Sequence, residues 1–322
     1  MNLDSIKTYL HRFPVYEKLA NYIRRRTIRK NPYKEIERCY KIVWGGVKPD
    51  LDNPKNLIEK IYWMELYADL SLWSVCEDKY GMRAYIEEKG LGQYLPKLYG
   101  HWDNANDFNI DTIPQSFVLK SNNGCGTVMI VKDKTTLNLS ETKKILNRWL
   151  KIPYGYSNAA LHYLAIKPCI ICEEILKNDT VYTHISPHSL VDFKVWCING
   201  KPRSILVFYE RRSPYCKIGL FNTKWEQMTD KIRFMEHYKY DPNIAISKPE
   251  CLEEMLNVAG KLSEGFPQMR VDFYVVDGKP VIGELTLATG YGYLHKEYYE
   301  ELGREIDLSK VKLAKIPNYK TV

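Results

Sequence analysis

Two dipeptides, Asn199-Gly200 and Asp277-Gly278, each separate two short runs rich in alternating apolar residues. They commit the second half of this 322-residue chain to antiparallel hairpins. The spacing predicts one hairpin from residues 192–198 and 204–209 and another from 269–276 and 281–288. Residues 117–120 and 127–131 read as strands flanking a polar loop, and 169–175 reads as a buried strand. Helical periodicity covers 4–12, a stretch opening at Pro14, and 56–70, where Leu57, Ile61, Met64 and Ala68 share one side. It returns over 78–90, closed by Gly90, and over 140–150 and 249–262. Strands grouped into hairpins, with helices set apart from them, predict an α+β fold rather than an alternating βα one. The length allows two or three lobes on one connected core.

Hydrophobic residues at 45% and charged residues at 27% exclude a disordered chain. No window approaches 18 consecutive apolar residues, and the opening MNLDSIKTYLHRF lacks the apolar centre and cleavage site of a signal peptide. A cytoplasmic protein is expected. Eight scattered cysteines fit reduced, buried thiols. The net charge of +8 favours anionic partners, and Arg24, Arg25, Arg26, Arg29 and Lys30 concentrate it near the front. No nucleic-acid-reading motif accompanies that cluster, so nucleic acid is not an expected partner. Peripheral docking of this basic helix on an anionic membrane face competes with a plain solvated helix face.

The chemistry sits in the strands. Ser121, Asn122, Asn123, Gly124, Cys125 and Gly126 form a glycine-rich loop between two strands. No helix follows it, so it is neither a P-loop nor a dinucleotide fingerprint. Its backbone N–H groups can still lie over phosphates, with Lys120 at its base, although an ordinary flexible turn gives the same pattern. In the last hairpin, a three-residue loop would set Asp272 opposite Glu284, whereas a two-residue loop would put them on opposite faces. Facing carboxylates repel unless a cation such as Mg²⁺ lies between them. Arg270 shares the face of Asp272. Asp192 and Lys194, two apart, also share a face, and an exposed ion pair is the competing reading. Arg211 and Arg212 close the next strand and can hold an anionic substrate, although a solvated strand end gives the same pattern. Cys169-x-x-Cys172 has no second ligand pair and reads as buried thiols. His184 and His188 lie in a loop with no nucleophile set beside them.

These blocks stand in the order of the ATP-grasp superfamily. The chain most resembles its TupA-like branch, linked to teichuronopeptide and other cell-surface polysaccharide biosynthesis. The resemblance is carried by residues 56–63, by Asp78-Lys79-Tyr80-Gly81-Met82-Arg83, and by 95–100 and 114–120. It continues through Lys167-Pro168 with Glu173-Glu174, Asp192-Phe193-Lys194, residues 270–274, and Glu284-Leu285-Thr286. It spans about residues 55–295. It implies a helical region over 1–110, a lid with its flap over 111–175, and a C-terminal part with the metal hairpin over 176–322. Two α+β lobes would then grip ATP between antiparallel sheets. Lys120 and Arg83 would hold the phosphates under the flap, and Glu173, Glu174, Ile175 and Leu176 would meet adenine and ribose. Asp192 and Lys194 match an Asp-x-Arg/Lys pair of related peptide-forming ligases. Asp272 and Glu284 would bind Mg²⁺, and Arg270 would steady the acyl phosphate. Thr286 stands where many relatives carry Asn and is a weaker metal ligand. Residues 288–292 replace the usual Pro-Gly.

The implied activity joins an amine or amino acid to a carboxylate, plausibly a uronic acid of a surface glycan, with release of ADP. Two rivals differ in class. A glycosyltransferase would lean on Asp50-Leu51-Asp52, which no long apolar strand precedes. A scaffold would bind ATP without turnover.

Overall fold

The computed structural model describes residues 14–156, 159–211, 216–233 and 237–321. The 4–12 helix and Arg212 lie outside them. Helices α1 (Pro14–Lys30) and α2 (Pro32–Val43) come first. Then α3 (Leu57–Tyr67) starts at a capping box, in which the Asn56 side chain accepts from the Glu59 N–H and Glu59 reaches back to the Asn56 N–H. The periodicity over 56–70 breaks at Ala68, and a separate helix α4 (Ser71–Glu77) follows before α5 (Gly81–Glu88). Local spacing continues smoothly across that break. Tertiary pairing decides it, since Ala68 bridges to Leu313 and the Asp69 N–H donates to the Lys312 carbonyl.

Two antiparallel-dominated sheets carry the rest. The smaller has the order β1 (Leu98–Trp102), β4 (Ile170–Glu173), β2 (Phe117–Ser121), β3 (Val128–Val131). Helix α6 (Leu139–Trp149) packs on its apolar face, where Leu146 joins Phe117, Leu119 and Cys172 in a compact core. The larger sheet has the order β10 (Lys279–Thr286), β9 (Gln268–Val276), β5 (Asp192–Ile198), β6 (Lys201–Tyr209), β7 (Cys216–Asn222), β8 (Tyr238–Lys239). Helix α7 (Leu252–Ser263) covers one face, and α8 (Lys296–Arg304) follows the last strand. Strands β1 and β7 carry no strong turn or alternation signal and are additions to the sequence-based expectation.

Both expected hairpins form on two-residue turns, with Asn199, Gly200, Asp277 and Gly278 all at positive φ. In the last hairpin this is the second of the two alternatives weighed from the sequence, and by itself it would put Glu284 on the face opposite to Asp272. A bulge restores the face. The register steps between Ile282, which pairs Phe273, and Glu284, which pairs Asp272, so Gly283 is the added residue. Only a glycine fits there without displacement, because a Cβ would lie 2.7 Å from the Tyr274 ring.

Candidate active site

Strand alternation sets one charged face on the large sheet. Cross-strand pairing puts Lys194 beside Asp272, Asp272 beside Glu284, and Arg270 beside Thr286. The Asp272 carboxylate is 3% exposed and accepts from Arg270 Nε at 2.6 Å and Nη2 at 2.9 Å, and from Lys194 Nζ. Burial alone would raise its pKa, but Arg270 and Lys194 outweigh burial and hold it at about 2. Lys194 is shared with Asp192 Oδ2 at 2.7 Å, which also accepts from Arg211 Nη1 at 2.8 Å. Asp192 moves the other way. Its burial, with repulsion from Asp272, exceeds the help from Lys194 and Arg211, and its pKa rises. Among the described residues its buried Oδ1 has no hydrogen-bond donor, so it can take one from a ligand. Three cations against two carboxylates leave this cluster one positive charge in excess. The Phe208 ring flanks it, 5.4 Å from Lys194 Nζ. Arg270 is held further by Thr289 Oγ1 at 2.5 Å and Thr286 Oγ1 at 3.1 Å.

A second group forms on the small sheet. Glu173, at the end of β4, receives Lys120 Nζ at 2.8 Å and Arg83 Nη1 at 3.2 Å. Arg83 also donates to the Pro96 carbonyl at 2.8 Å. The following residues pass from this sheet to the large one. The Glu174 N–H donates to the Lys97 carbonyl, Ile175 and Leu176 are half-buried, and Asp179 accepts from the Gly278 N–H at the β9–β10 turn. The loop after β2 is anchored at its base. Asn122 bonds Asp78, the Lys167 carbonyl and the Cys169 N–H, while the tip at Cys125 and Gly126 is exposed. Gly124 takes φ +82 against the Tyr154 ring.

Lys79 joins the two groups. Its Nζ lies 3.0 Å from Glu284 Oε1 and 2.8 Å from the Gly124 carbonyl, so one ammonium touches both the acidic pair and the loop. Burial would lower its pKa, yet Glu284 raises it. No motif in the sequence gives this lysine a role. Its one local signal is a position just before a helix, and its partner lies 205 residues away.

The structure thus brings together Asp192, Lys194, Arg211, Arg270, Asp272, Glu284 and Thr286, and separately Arg83, Lys120 and Glu173. Cys169 and Cys172 are buried free thiols, each pushed to about 12 by burial. His184 and His188 are exposed loop residues.

Behind the site lies a feature that no motif announces. His162 Nδ1 is 2.6 Å from Glu65, and its Nε2 is 3.2 Å from Glu77, close enough to pair charge though off the line of a hydrogen bond. Glu77 also accepts the N–H groups of Leu287 and Ala288. All three side chains are buried, and together they tie α3 and α4 to the chain just past β10. Burial would discharge His162, but Glu65 and Glu77 overcome it and raise its pKa to about 10. Burial would likewise raise Glu77, but His162 brings it to about 2.

The facing carboxylates of Asp272 and Glu284 offer hard oxygens to a divalent cation, which suits Mg²⁺ shared with substrate phosphates. Among the described residues no three His, Cys, Asp or Glu side chains cluster to form an all-protein cage. A cavity of about 520 Å³ beside Tyr94 and Glu254 is lined neither by any residue of the two charged groups nor by Lys79.

The family model described as TupA-like ATPgrasp matches residues 59–307. No curated protein matches the chain. Among solved structures it is similar to D-alanine–D-alanine ligase from Bacillus anthracis complexed with ATP, at 15% identity and TM-score 0.45, covering 75% of this chain and 66% of that one. It is also similar to D-alanine–D-alanine ligase from Helicobacter pylori, at 14% identity and TM-score 0.42, covering 78% and 67%. For the L-amino acid ligase from Bacillus licheniformis the values are 15%, 0.38, 67% and 41%. The chain therefore spans less than two thirds of the first and third of these proteins.

Proposed function

This chain belongs to the TupA-like ATP-grasp family, and from that premise we propose that it is an ATP-dependent carboxylate–amine ligase releasing ADP and phosphate. The observation that supports this most directly is the double contact of Lys79, which joins the acidic pair to the glycine-rich loop. A phosphate chain lying there would meet cations from both sheets.

In this reading the small sheet, with the loop 121–126, is the lid and the large sheet is the base. Lys120, Arg83 and Lys79 neutralise the phosphates, and the backbone N–H groups of the loop cover them. Glu173 through Leu176 meet the nucleoside. Asp192, with its unfilled Oδ1, and Lys194 position the ligand end nearest the reacting groups. Asp272 and Glu284 would hold Mg²⁺, which neutralises charge on the transferring phosphoryl group. Thr286 is the weakest of the three oxygen donors, because it offers a neutral hydroxyl where Asp272 and Glu284 offer carboxylates.

The chemistry then balances. A carboxylate oxygen attacks the γ-phosphorus, the bond to the β-phosphate oxygen breaks, and ADP leaves. The amine attacks the carbonyl carbon of the acyl phosphate, and phosphate departs carrying the amine proton. Arg270 stands where it can steady the anionic intermediate, and Arg211, with Arg212, can bind an anionic substrate. Lid closure excludes the water that would hydrolyse the acyl phosphate.

The finer reading makes the carboxylate a uronic acid of a cell-surface polysaccharide or its precursor, with an amino acid or amine as acceptor. ADP release with hydroxylamine trapping, screened over uronic acids and amines, tests it. Formation of AMP, or full turnover by Glu284→Gln, would sink the ligase reading.

Among the described residues no helix is long and apolar enough to cross a membrane. On α1, Leu19, Tyr22 and Ile23 are more than half exposed, beside exposed Arg25, Arg26, Arg29 and Lys30. This supports peripheral docking on anionic lipid. Sedimentation with anionic liposomes must weaken with added salt if it is right.

A further inference from the structure

Beside Thr289, which accepts from Arg270, lies a cavity of about 360 Å³. Helices α2 and α3 supply one side of it. Tyr154, Ala159, Ala160 and Tyr163, with residues 288–291, supply the other. It adjoins the site already described through two of its wall residues. Thr289, on its wall, accepts from Arg270 Nη1, and Tyr154, also on its wall, packs against Gly124 of the loop and donates to Cys125 Sγ at 3.3 Å.

The character of the lining is specific. Its two charged side chains are already committed. Arg38 donates Nε to Glu35 at 2.8 Å, while Glu65 pairs with His162 and also accepts the N–H groups of Leu161 and His162. What remains is tyrosine, aliphatic side chains, the Cys39 thiol and the Thr289 hydroxyl, with Tyr62 and Tyr291 bonded to each other at 3.0 Å. Tyrosine faces accept flat rings and the C–H faces of sugars, and their hydroxyls accept or donate to ring hydroxyls. A ligand ammonium would find no unpaired carboxylate here, only tyrosine faces that offset its desolvation in part. The volume lies near the low end of small-molecule pockets, about 300–1,000 Å³, which leaves room for one ring.

We propose that this cavity receives the body of the carboxylate that the enzyme activates. The body is an uncharged ring rather than a zwitterionic amino acid, and its carboxylate is directed past Thr289 to Arg270. The inference rests on the ligase reading above and adds where the activated carboxylate sits and what receives its body.

The test uses the full chain with ATP, Mg²⁺ and hydroxylamine, and compares glucuronate, galacturonate and benzoate with alanine and glutamate. The ring carboxylates should give hydroxamate and ADP about tenfold faster than the amino acids. Gly290 borders the cavity, where an added Cβ would meet open space and φ is not positive, so Gly290→Phe fills the cavity without strain. It should raise KM for the ring carboxylate about tenfold or abolish turnover, while the rise in melting temperature with ATP persists. Ile42→Trp, at an exposed rim position, gives the same readout through an independent variant. Faster activation of the amino acids, or an unchanged carboxylate KM in both variants of an active enzyme, overturns the pocket assignment alone. If ATP neither raises the melting temperature nor yields ADP with any carboxylate, the ligase reading falls and the pocket assignment with it.

Discussion

Asp272 and Glu284 face each other across β9 and β10 because Gly283 adds one residue to β10. The two-residue turn at Asp277-Gly278 sets a register that the bulge must correct before the two carboxylates can share a face. Gly283→Ala drives a Cβ into the Tyr274 ring, so it should cost about 1–3 kcal/mol of stability. Because the bulge aims Glu284, turnover should fall further than ATP affinity does. Thermal unfolding and ADP-release kinetics check both, and a stable, fully active alanine variant would show that the bulge is not needed.

Lys79 spans the acidic pair and the loop, and Lys79→Gln removes both contacts. Glu284 keeps 27% side-chain exposure, so water can solvate it and the fold should survive. Nucleotide binding should weaken by about 2 kcal/mol or more, read as a higher KM for ATP and a smaller ATP-induced rise in melting temperature. Unchanged values would reduce Lys79 to a structural tie.

The buried Glu65–His162–Glu77 group predicts a pH window for stability. The raised pKa of His162 means that its contribution is complete below about 6.5 and is lost as pH climbs through about 10. The lowered pKa of Glu77 means that its contribution is complete above about 4.5 and is lost as pH falls through about 2. His162→Ala should destabilise by about 3–5 kcal/mol, since two buried carboxylates lose their cation. Melting curves from pH 6 to 10 should be flatter for the variant than for the parent. An equal slope would assign the alkaline loss to another group.

Cys125 is the one exposed cysteine among the described residues, and it sits at the tip of the loop proposed to close over phosphates. Labelling of this thiol by a water-soluble reagent should slow when ATP and Mg²⁺ are added together. The single variant Cys125→Ser should lose the fast labelling phase. A labelling rate indifferent to nucleotide would mean that the loop does not close.

The sequence alone carried the local layer of this protein. The Asn199-Gly200 and Asp277-Gly278 turns need only adjacent residues at positive φ. The two-residue spacing of Asp192 with Lys194 and of Arg270 with Asp272 fixes shared faces whatever the rest of the chain does. The order of the blocks added the family, which the match over residues 59–307 bears out. What only the tertiary structure decided is every pairing made across long stretches of chain. These include the bulge at Gly283, the contact of Lys79 with Glu284, the convergence of Arg83 and Lys120 on Glu173, the His162 staple, and the cavity beside Thr289. The reason is physical. Backbone alternation and turn geometry act over a few residues and leave a pattern in them, whereas a buried ion pair or a cavity wall needs only complementary groups to meet once the sheets have packed.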